Sequence, residues 1–444
     1  MLIDNQKELV LKGYSKLKEK YTEISDILDK EVLRQQKTLS LVASCCAVSP
    51  EVLAAMSSAL VNVTAEGSPK FRYHAGCENV DLVEQIAINS ACELFGASYA
   101  NVQPHSASSA NYEVISQLLS PGDTILGMDM DSGGHLTHGS SVTLSGTYYN
   151  SVGYHTTSEG EIDFEEVEKL ALGNKPRLII CGATAYSREI DFKKFREIAD
   201  KVDAILLADI SHIAGLVIAG YHNSPINFAH VTTTCTHKQL AGPRGGLILS
   251  GKDADTLVPG KNITFRRALQ KAVFPWMQGA PAVNLIAAKA VTFQKAKTKE
   301  FKEYISRIRE TANFMAEEFN KCGFEVVGGK SENHTILLKL HGEMTGYIAE
   351  KALEKYSVIV NKNRIPGETR TSTVTSGLRI GVGALAQRNI DKEGCVEIVK
   401  LFCEILENVI PINDKEFSEK YDLTEIKDRV EEICNRYPIE EYLV

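Results

Sequence analysis

The sequence predicts an α/β protein, with a large, mostly parallel sheet covered by helices and a smaller α+β domain after it. Three observations carry that prediction. Five short runs, 123–128 (DTILGM), 177–181 (RLIIC), 204–209 (AILLAD), 231–236 (VTTTCT) and 246–250 (GLILS), are near-continuously apolar or β-branched, as strands buried on both faces must be. Helical patterns lie between them, as at 108–119 and 191–202, and alternating strand and helix builds a parallel layered sheet. From about Val283 the texture changes. Residues 283–320 read as one long amphipathic helix with room for a break, strand-like runs follow at 335–340 and 378–381, and helices close the chain at 391–409 and 423–436. The expected division is an N-terminal helical arm (1–40), a large α/β domain (41–295) and a small C-terminal α+β domain (296–444).

Composition removes several function classes. Of 444 residues, 43% are hydrophobic and 24% charged, the balance of an ordinary soluble globular protein. The net charge of −8 contains no block of like charges, which argues against nucleic-acid and anionic-membrane partners. The first residues, MLIDNQKELVLKGYSKLKEKY, hold no apolar core followed by a cleavage site, so no signal peptide is expected. The best candidate span, 204–219, contains Asp209 and His212 and falls short of the roughly 18 apolar residues a membrane helix needs. Ten cysteines are scattered without a CxxC pair or zinc-site spacing, so a reduced cytoplasmic protein without a structural metal is expected.

Four features of the α/β region point to chemistry. Asp209 ends an apolar strand, the edge where open α/β sheets bind ligands, although a strand-end acid or helix cap reads the same way. His212 shares its turn. His237 and Lys238 follow the strand VTTTCT and precede the glycine-rich AGPRGG; a lysine there is either a Schiff-base residue or simply solvated. The run HSASSAN (105–111) opens a helix with hydroxyls and free backbone N–H groups, suited to a phosphate or to plain capping. In SGGHLTHG (132–139), two histidines either bind a metal, for which no carboxylate or cysteine is suitably spaced, or stack on a flat cofactor. Phosphate site, ring stacker, carboxylate and lysine together describe pyridoxal 5'-phosphate, with the carboxylate keeping the pyridine nitrogen protonated.

From Leu39 to about Leu406 the chain resembles the serine hydroxymethyltransferase family, through CENVDLVEQIA, ELFGASYANVQPHSASSAN, PGDTILGMD, GGHLTHGS, SHIAGLV, TTTCTHK, GPRGGLIL and TSGLRIG. The resemblance implies a fold-type-I pyridoxal-phosphate enzyme, a homodimer or tetramer with active sites shared between subunits, and tetrahydrofolate as co-substrate. It implies that Lys238 forms the Schiff base with the cofactor, Asp209 pairs with the pyridine nitrogen, His135 stacks on the ring and His212 lies beside the phenolic oxygen. Ser106, Ala107 and Ser108, with His237 and Gly279, would hold the cofactor. Arg379 would grip the substrate carboxylate, with Ser44 and Arg244 near it. Glu66 matches the proton-handling glutamate, Tyr73 an aromatic residue near the folate and Asn363 a pterin contact.

The departures from the family pattern cluster around that site. Thr64 replaces a tyrosine of the neighbouring subunit's phosphate site. His74 replaces the second tyrosine of RYYGG, exchanging a phenol with a reference pKa of ~10 for an imidazole at ~6.5. The usual SENF reads Ser44-Cys45-Cys46-Ala47, where adjacent buried thiols are expected. Trp276, the only tryptophan, replaces a glycine and adds ~200 Å² of side chain that must fill new space or narrow the pocket. Thr373 replaces a phenylalanine on the folate side. The expected activity is therefore making or breaking the Cα–Cβ bond of a small β-hydroxy amino acid, by default serine–glycine exchange. A folate-independent aldolase, transaldolase or racemase using His74 as a second base is the alternative, and a catalytically idle binding subunit the third.

Overall fold

The computed structural model describes residues 4–442. The first three residues of the expected arm and the last two of the expected C-terminal domain lie outside them. Two helices, α1 (Asn5–Lys20) and α2 (Thr22–Gln36), form the arm, and neither buries a residue. Leu9, Leu11, Tyr14, Ile24, Ile27 and Leu28 are accordingly exposed.

The main sheet has seven strands: β1 (Tyr99–Asn101), β2 (Thr124–Met128), β3 (Asn150–Tyr154), β4 (Leu178–Cys181), β5 (Ile205–Asp209), β6 (Val231–Cys235) and β7 (Gly246–Ser250). Their order is β1-β7-β6-β5-β4-β2-β3, parallel throughout except that β7 is antiparallel to both neighbours. The five apolar runs are the five interior strands. Both unanticipated strands are edges, where pairing on one side removes the need for a continuous apolar run. Interior strands feed two cores by alternation: Leu126, Ile179, Leu206 and Ala208 face one, while Ile125, Leu178, Ile180, Ile205 and Leu207 face the other.

Helices α3 (Glu78–Phe95) and α4 (Ala107–Leu118) flank β1. The expected helix 283–320 is two helices, α5 (Val283–Lys295) and α6 (Lys299–Lys321). Thr298 makes the break by turning extended and capping α6, its Oγ1 accepting from the Phe301 N–H at 3.3 Å. A second, antiparallel sheet follows, β8 (Glu325–Val326), β9 (Thr335–Lys339), β10 (Asn361–Asn363) and β11 (Gly377–Gly381), in the order β8-β9-β11-β10. Ile336 and Ile380 of this sheet belong to the same hydrophobic cluster as Leu206 and Ile179, so it packs on the main core. Helices α7 (Lys392–Glu407) and α8 (Thr424–Arg436) close the chain near the expected limits.

One consequence of the topology positions the site. Two antiparallel pairings through β7 return β1 to the direction of β2–β6. The segments after β1, β2, β4, β5 and β6 therefore all leave the sheet at one edge.

Candidate active site

At that edge lies a cavity of about 320 Å³ lined by Ser44, the Ser106–Ser108 turn, His135, Thr184, Asp209, His212, His237, Lys238, Arg244 and Arg379. These twelve residues, drawn from positions 44 to 379, meet there because each follows a strand of one sheet edge or, for Ser44 and Arg379, because β11 packs across it.

Asp209, at the end of β5, is the best supported of these groups. Its Oδ2 accepts from Asn111 Nδ2 at 2.8 Å and lies 3.1 Å from His138 Nε2; its Oδ1 accepts from the Ser211 hydroxyl at 2.5 Å and the Ser211 N–H at 3.0 Å. Burial pushes this carboxyl up, but the His138 contact and the Ser211 hydroxyl outweigh it and hold the group well below the usual carboxylate range. The result is a fixed buried anion. Gly182 permits the packing behind it: at φ +148°, a Cβ there would sit 2.2 Å from the Asp209 carbonyl oxygen.

His135 is oriented from below. Thr137 donates its N–H to His135 Nδ1 at 3.2 Å and its hydroxyl lies 2.8 Å from the same atom, while Asn111 Nδ2 donates to that hydroxyl at 2.8 Å. Nδ1 is thus the acceptor and the ring proton sits on Nε2. Burial lowers the imidazole to about 4, so a neutral ring lines the cavity. His212 stacks on His334, with 5.3 Å between centroids and 3.1 Å between His212 Nδ1 and His334 Nε2. Burial holds His212 well below its ordinary value and takes His334 to about 3.

Burial likewise lowers the Lys238 ammonium, and the nearby Arg379 and Arg244 charges add to that. A lysine so placed gives up its proton more readily than a solvated one and can act as a nucleophile. Arg379 is almost fully buried, with Nε donating to Asn361 Oδ1 at 3.0 Å and Nη1 to the Thr184 carbonyl at 2.9 Å; desolvation brings it down to about 10. Two fixed bonds hold the guanidinium plane for a carboxylate. Arg244 is more exposed and lies 3.3 Å from His237 Nε2, and burial of His237 lowers it to about 4. Ser106 caps α4, its Oγ accepting from the Ser109 N–H at 3.0 Å. The N–H groups of Ala107 and Ser108 occupy the first turn of a twelve-residue helix, an arrangement that favours an anion.

Glu66, Tyr73, His74, Gly279 and Asn363 do not line this cavity. The segment 66–74 is pinned to α3 instead, through Arg72, which donates to Asp81 at 2.8 Å and Glu84 at 2.5 Å. Tyr73 is consequently 75% exposed, its ring 5.4 Å from Phe274, and His74 is exposed beside it. Gly279 joins this second cluster, where a Cβ would lie 3.3 Å from Glu66 Oε1. Asn363 turns its Nδ2 to the Arg364 carbonyl at 2.6 Å, and Asn361, in register with Arg379 on β11, makes the contact to the arginine.

Two further expectations are corrected. Cys45 is exposed; only Cys46 is the sheltered thiol, pushed up to about 12 by burial and 3.4 Å from the Tyr304 hydroxyl. Trp276 neither fills an interior space nor narrows the cavity of its own chain, because its indole N–H donates to Ser116 Oγ at 3.0 Å on the outer side of α4. The sequence also hid a carboxylate from the histidine pair: potential ligand atoms of His135, His138 and Asp209 lie within 4.8 Å of one another. The unforeseen residues of the site, Asn111, Thr137, Ser211, His334 and Asn361, are all positioners, and so is His138, which the sequence offered as a metal ligand or ring stacker. Asn111 was the most findable, as a fully buried amide on a helix must have partners.

The chain matches the serine hydroxymethyltransferase family model over residues 17–402. It is 48% identical over 385 residues to a serine hydroxymethyltransferase of Borrelia duttonii (strain Ly), covering 86% of this chain and 92% of the relative. The figures are 47% over 402 residues for the enzyme of Borreliella afzelii (strain PKo), covering 90% and 96%, and 46% over 416 residues for that of Borrelia turicatae (strain 91E135), covering 93% and 98%. With the matched region carrying every residue of the cavity, the chain belongs to the serine hydroxymethyltransferase family of fold-type-I pyridoxal-phosphate enzymes.

Proposed function

We propose that this protein interconverts serine and glycine, passing the hydroxymethyl carbon to and from tetrahydrofolate, with pyridoxal phosphate bound in the cavity at the sheet edge. The observation that carries the reading is the Asp209 network, a buried anion fixed by Asn111, His138 and Ser211 opposite a lysine of lowered basicity. The donor set fits the cofactor at each end: N–H groups and hydroxyls at 106–108 for the phosphate, the neutral His135 ring for its face, Asp209 for the pyridinium and Lys238 for the aldehyde. When bound, pyridoxal phosphate supplies the electron sink that makes a bond at the substrate α-carbon labile.

The chain's own groups do the rest. Lys238 Nζ, buried and of lowered basicity, would hold the aldehyde end of the cofactor. Asp209 keeps a proton on the ring nitrogen, and His138 and Asn111 keep Asp209 ionised. His212, neutral and backed by His334, would share a hydrogen bond with the phenolic oxygen. Arg379 fixes the substrate carboxylate, with Ser44 on the same wall, and so orients the bond to be broken. Glu66 handles the proton at the substrate hydroxyl, Tyr73 and Asn363 contact the folate, and His237, Arg244 and Gly279 complete the cofactor and carboxylate surroundings.

The assignments of Glu66, Tyr73 and Gly279 call for a second subunit, since none of the three lines the cavity of its own chain. The Glu66–His74 cluster faces outward, and the arm exposes an apolar face on both of its helices. This supports a homodimer or tetramer in which that cluster completes the partner's cavity. No group lining the cavity favours the alternative aldolase, transaldolase or racemase reading, whose second base, His74, belongs to that same outward cluster. The three-part division at 40 and 295 is proposed on the same footing, α6 opening the small domain. All ten cysteines are free thiols, which supports a reducing cytoplasm, and among the described residues no helix is long and apolar enough to cross a membrane. Replacing Lys238 by Ala is expected to abolish the visible absorbance of the cofactor-loaded protein; persistence of that band would overturn the assignment.

A further inference from the structure

Helix α5 is an apolar packing helix that nonetheless places a lysine, Lys289, on its buried face at 2% exposure. An ammonium has three donors, and all three are used on backbone carbonyls: Val102 at 2.6 Å, Pro104 at 3.0 Å and Gly246 at 2.9 Å. Two of these carbonyls lie in the segment joining β1 to α4, the segment that delivers Ser106–Ser108 to the cavity. The third is the first residue of β7, whose N–H also donates to the Pro104 carbonyl at 2.8 Å. Two glycines admit the approach. A Cβ on Gly245 would sit 2.2 Å from Lys289 Cε, and one on Gly246 would sit 2.2 Å from the Ser106 carbonyl oxygen. Among the described residues no acid bonds the ammonium directly: Glu113 of α4 is buried, but neither of its carboxyl oxygens has a hydrogen-bond partner. Burial pushes Glu113 up to about 8 and Lys289 down to about 7, the charges of Glu113 and Glu84 opposing part of the lysine's shift.

We propose that Lys289 is a positioning residue for the phosphate end of the site, its ammonium tying the Val102–Pro104 segment to β7 and so fixing the N–H groups and hydroxyls of 106–108. The inference rests on the pyridoxal-phosphate reading above. It separates from a general packing role because pyridoxal, which has the same ring and aldehyde without the phosphate, does not use that turn.

The test is equilibrium dialysis of the apoenzyme against pyridoxal phosphate and against pyridoxal, for the unaltered protein, Lys289→Met and Gly245→Ala. Lys289→Met is expected to weaken pyridoxal phosphate by about tenfold or more while pyridoxal changes by less than about twofold, because only charge-assisted contacts at the phosphate end are lost. Gly245→Ala, which keeps the lysine but displaces its ammonium, is expected to lower the same ratio by a smaller factor. Equal weakening of both ligands, or an unchanged ratio, overturns the proposal. Should Lys289→Met not fold, Gly245→Ala decides, and an unaltered ratio there refutes it. Failure of the unaltered protein to bind pyridoxal phosphate would instead remove the cofactor reading itself.

Discussion

The wall of the cavity around Asp209 and the loop carrying Glu66 to His74 differ in how completely one chain satisfies them. Around Asp209 each functional group is held by another: Asn111 bonds Asp209, Thr137 and Thr233, and Thr137 orients His135. Around Tyr73 the backbone is anchored through Arg72, but the side chains that would do chemistry face outward. The residues expected to depart from the family pattern follow much of the same division: Cys46 excepted, His74, Thr64 and Trp276 are exposed in the single chain, whereas Asp209, His135, His212, Lys238 and Arg379 line the cavity. A network in which each residue has several partners resists substitution. An outward loop can change one residue at a time.

That contrast is sharpened most by Asp209→Asn, an isosteric change that removes the charge on which the network converges. Turnover of serine is expected to fall by about a thousandfold, with the fold intact by circular dichroism; a loss below tenfold would mean that the anion is not the group holding the ring nitrogen. Next in size is Arg379→Lys, which keeps charge but loses the planar fork and the bonds to Asn361 and Thr184. The KM for serine is expected to rise by about a hundredfold with a smaller fall in kcat, read from initial rates.

Acidification probes the same wall. His135, His237 and His334 stay neutral in the folded state down to about 4, 4 and 3, while unfolded they take up protons below the ordinary 6.5. The unfolded chain therefore binds more protons between those limits, and stability is lost as pH falls from 6.5 towards 4. The melting temperature of the apoprotein should drop across that window, less steeply in His334→Asn. The smallest structural effect belongs to the outward loop: His74→Tyr should change unfolding free energy by no more than about 0.5 kcal/mol. Its effect should appear in turnover, and a melting temperature many degrees lower would show the loop to be structural instead.

How much of this could be read without coordinates depended on distance along the chain. Interior strands announce themselves because both faces are buried, so RLIIC and AILLAD are unambiguous. The edge strand NSVGY carries no such constraint, and the break before α6 is hidden by a polar run, KAKTKE, that continues the helical pattern. Asp209, Lys238 and the 106–108 turn were legible because strand ends and helix starts are local features. His138 against Asp209 and His334 against His212 are separated by 71 and 122 residues, and nothing local reports such pairings. Tyr73 and His74 were legible only as chemistry, since the direction of a loop is set by what anchors it, here the pairing of Arg72 with Asp81 and Glu84 of α3.

Serine–glycine exchange through this cavity can be read by chiral amino-acid chromatography of L-serine incubated with the cofactor-loaded enzyme, with and without tetrahydrofolate. Glycine is expected to form when the folate is present, with little formed without it. Equal turnover without folate, formation of D-serine, or no turnover in either arm would contradict it.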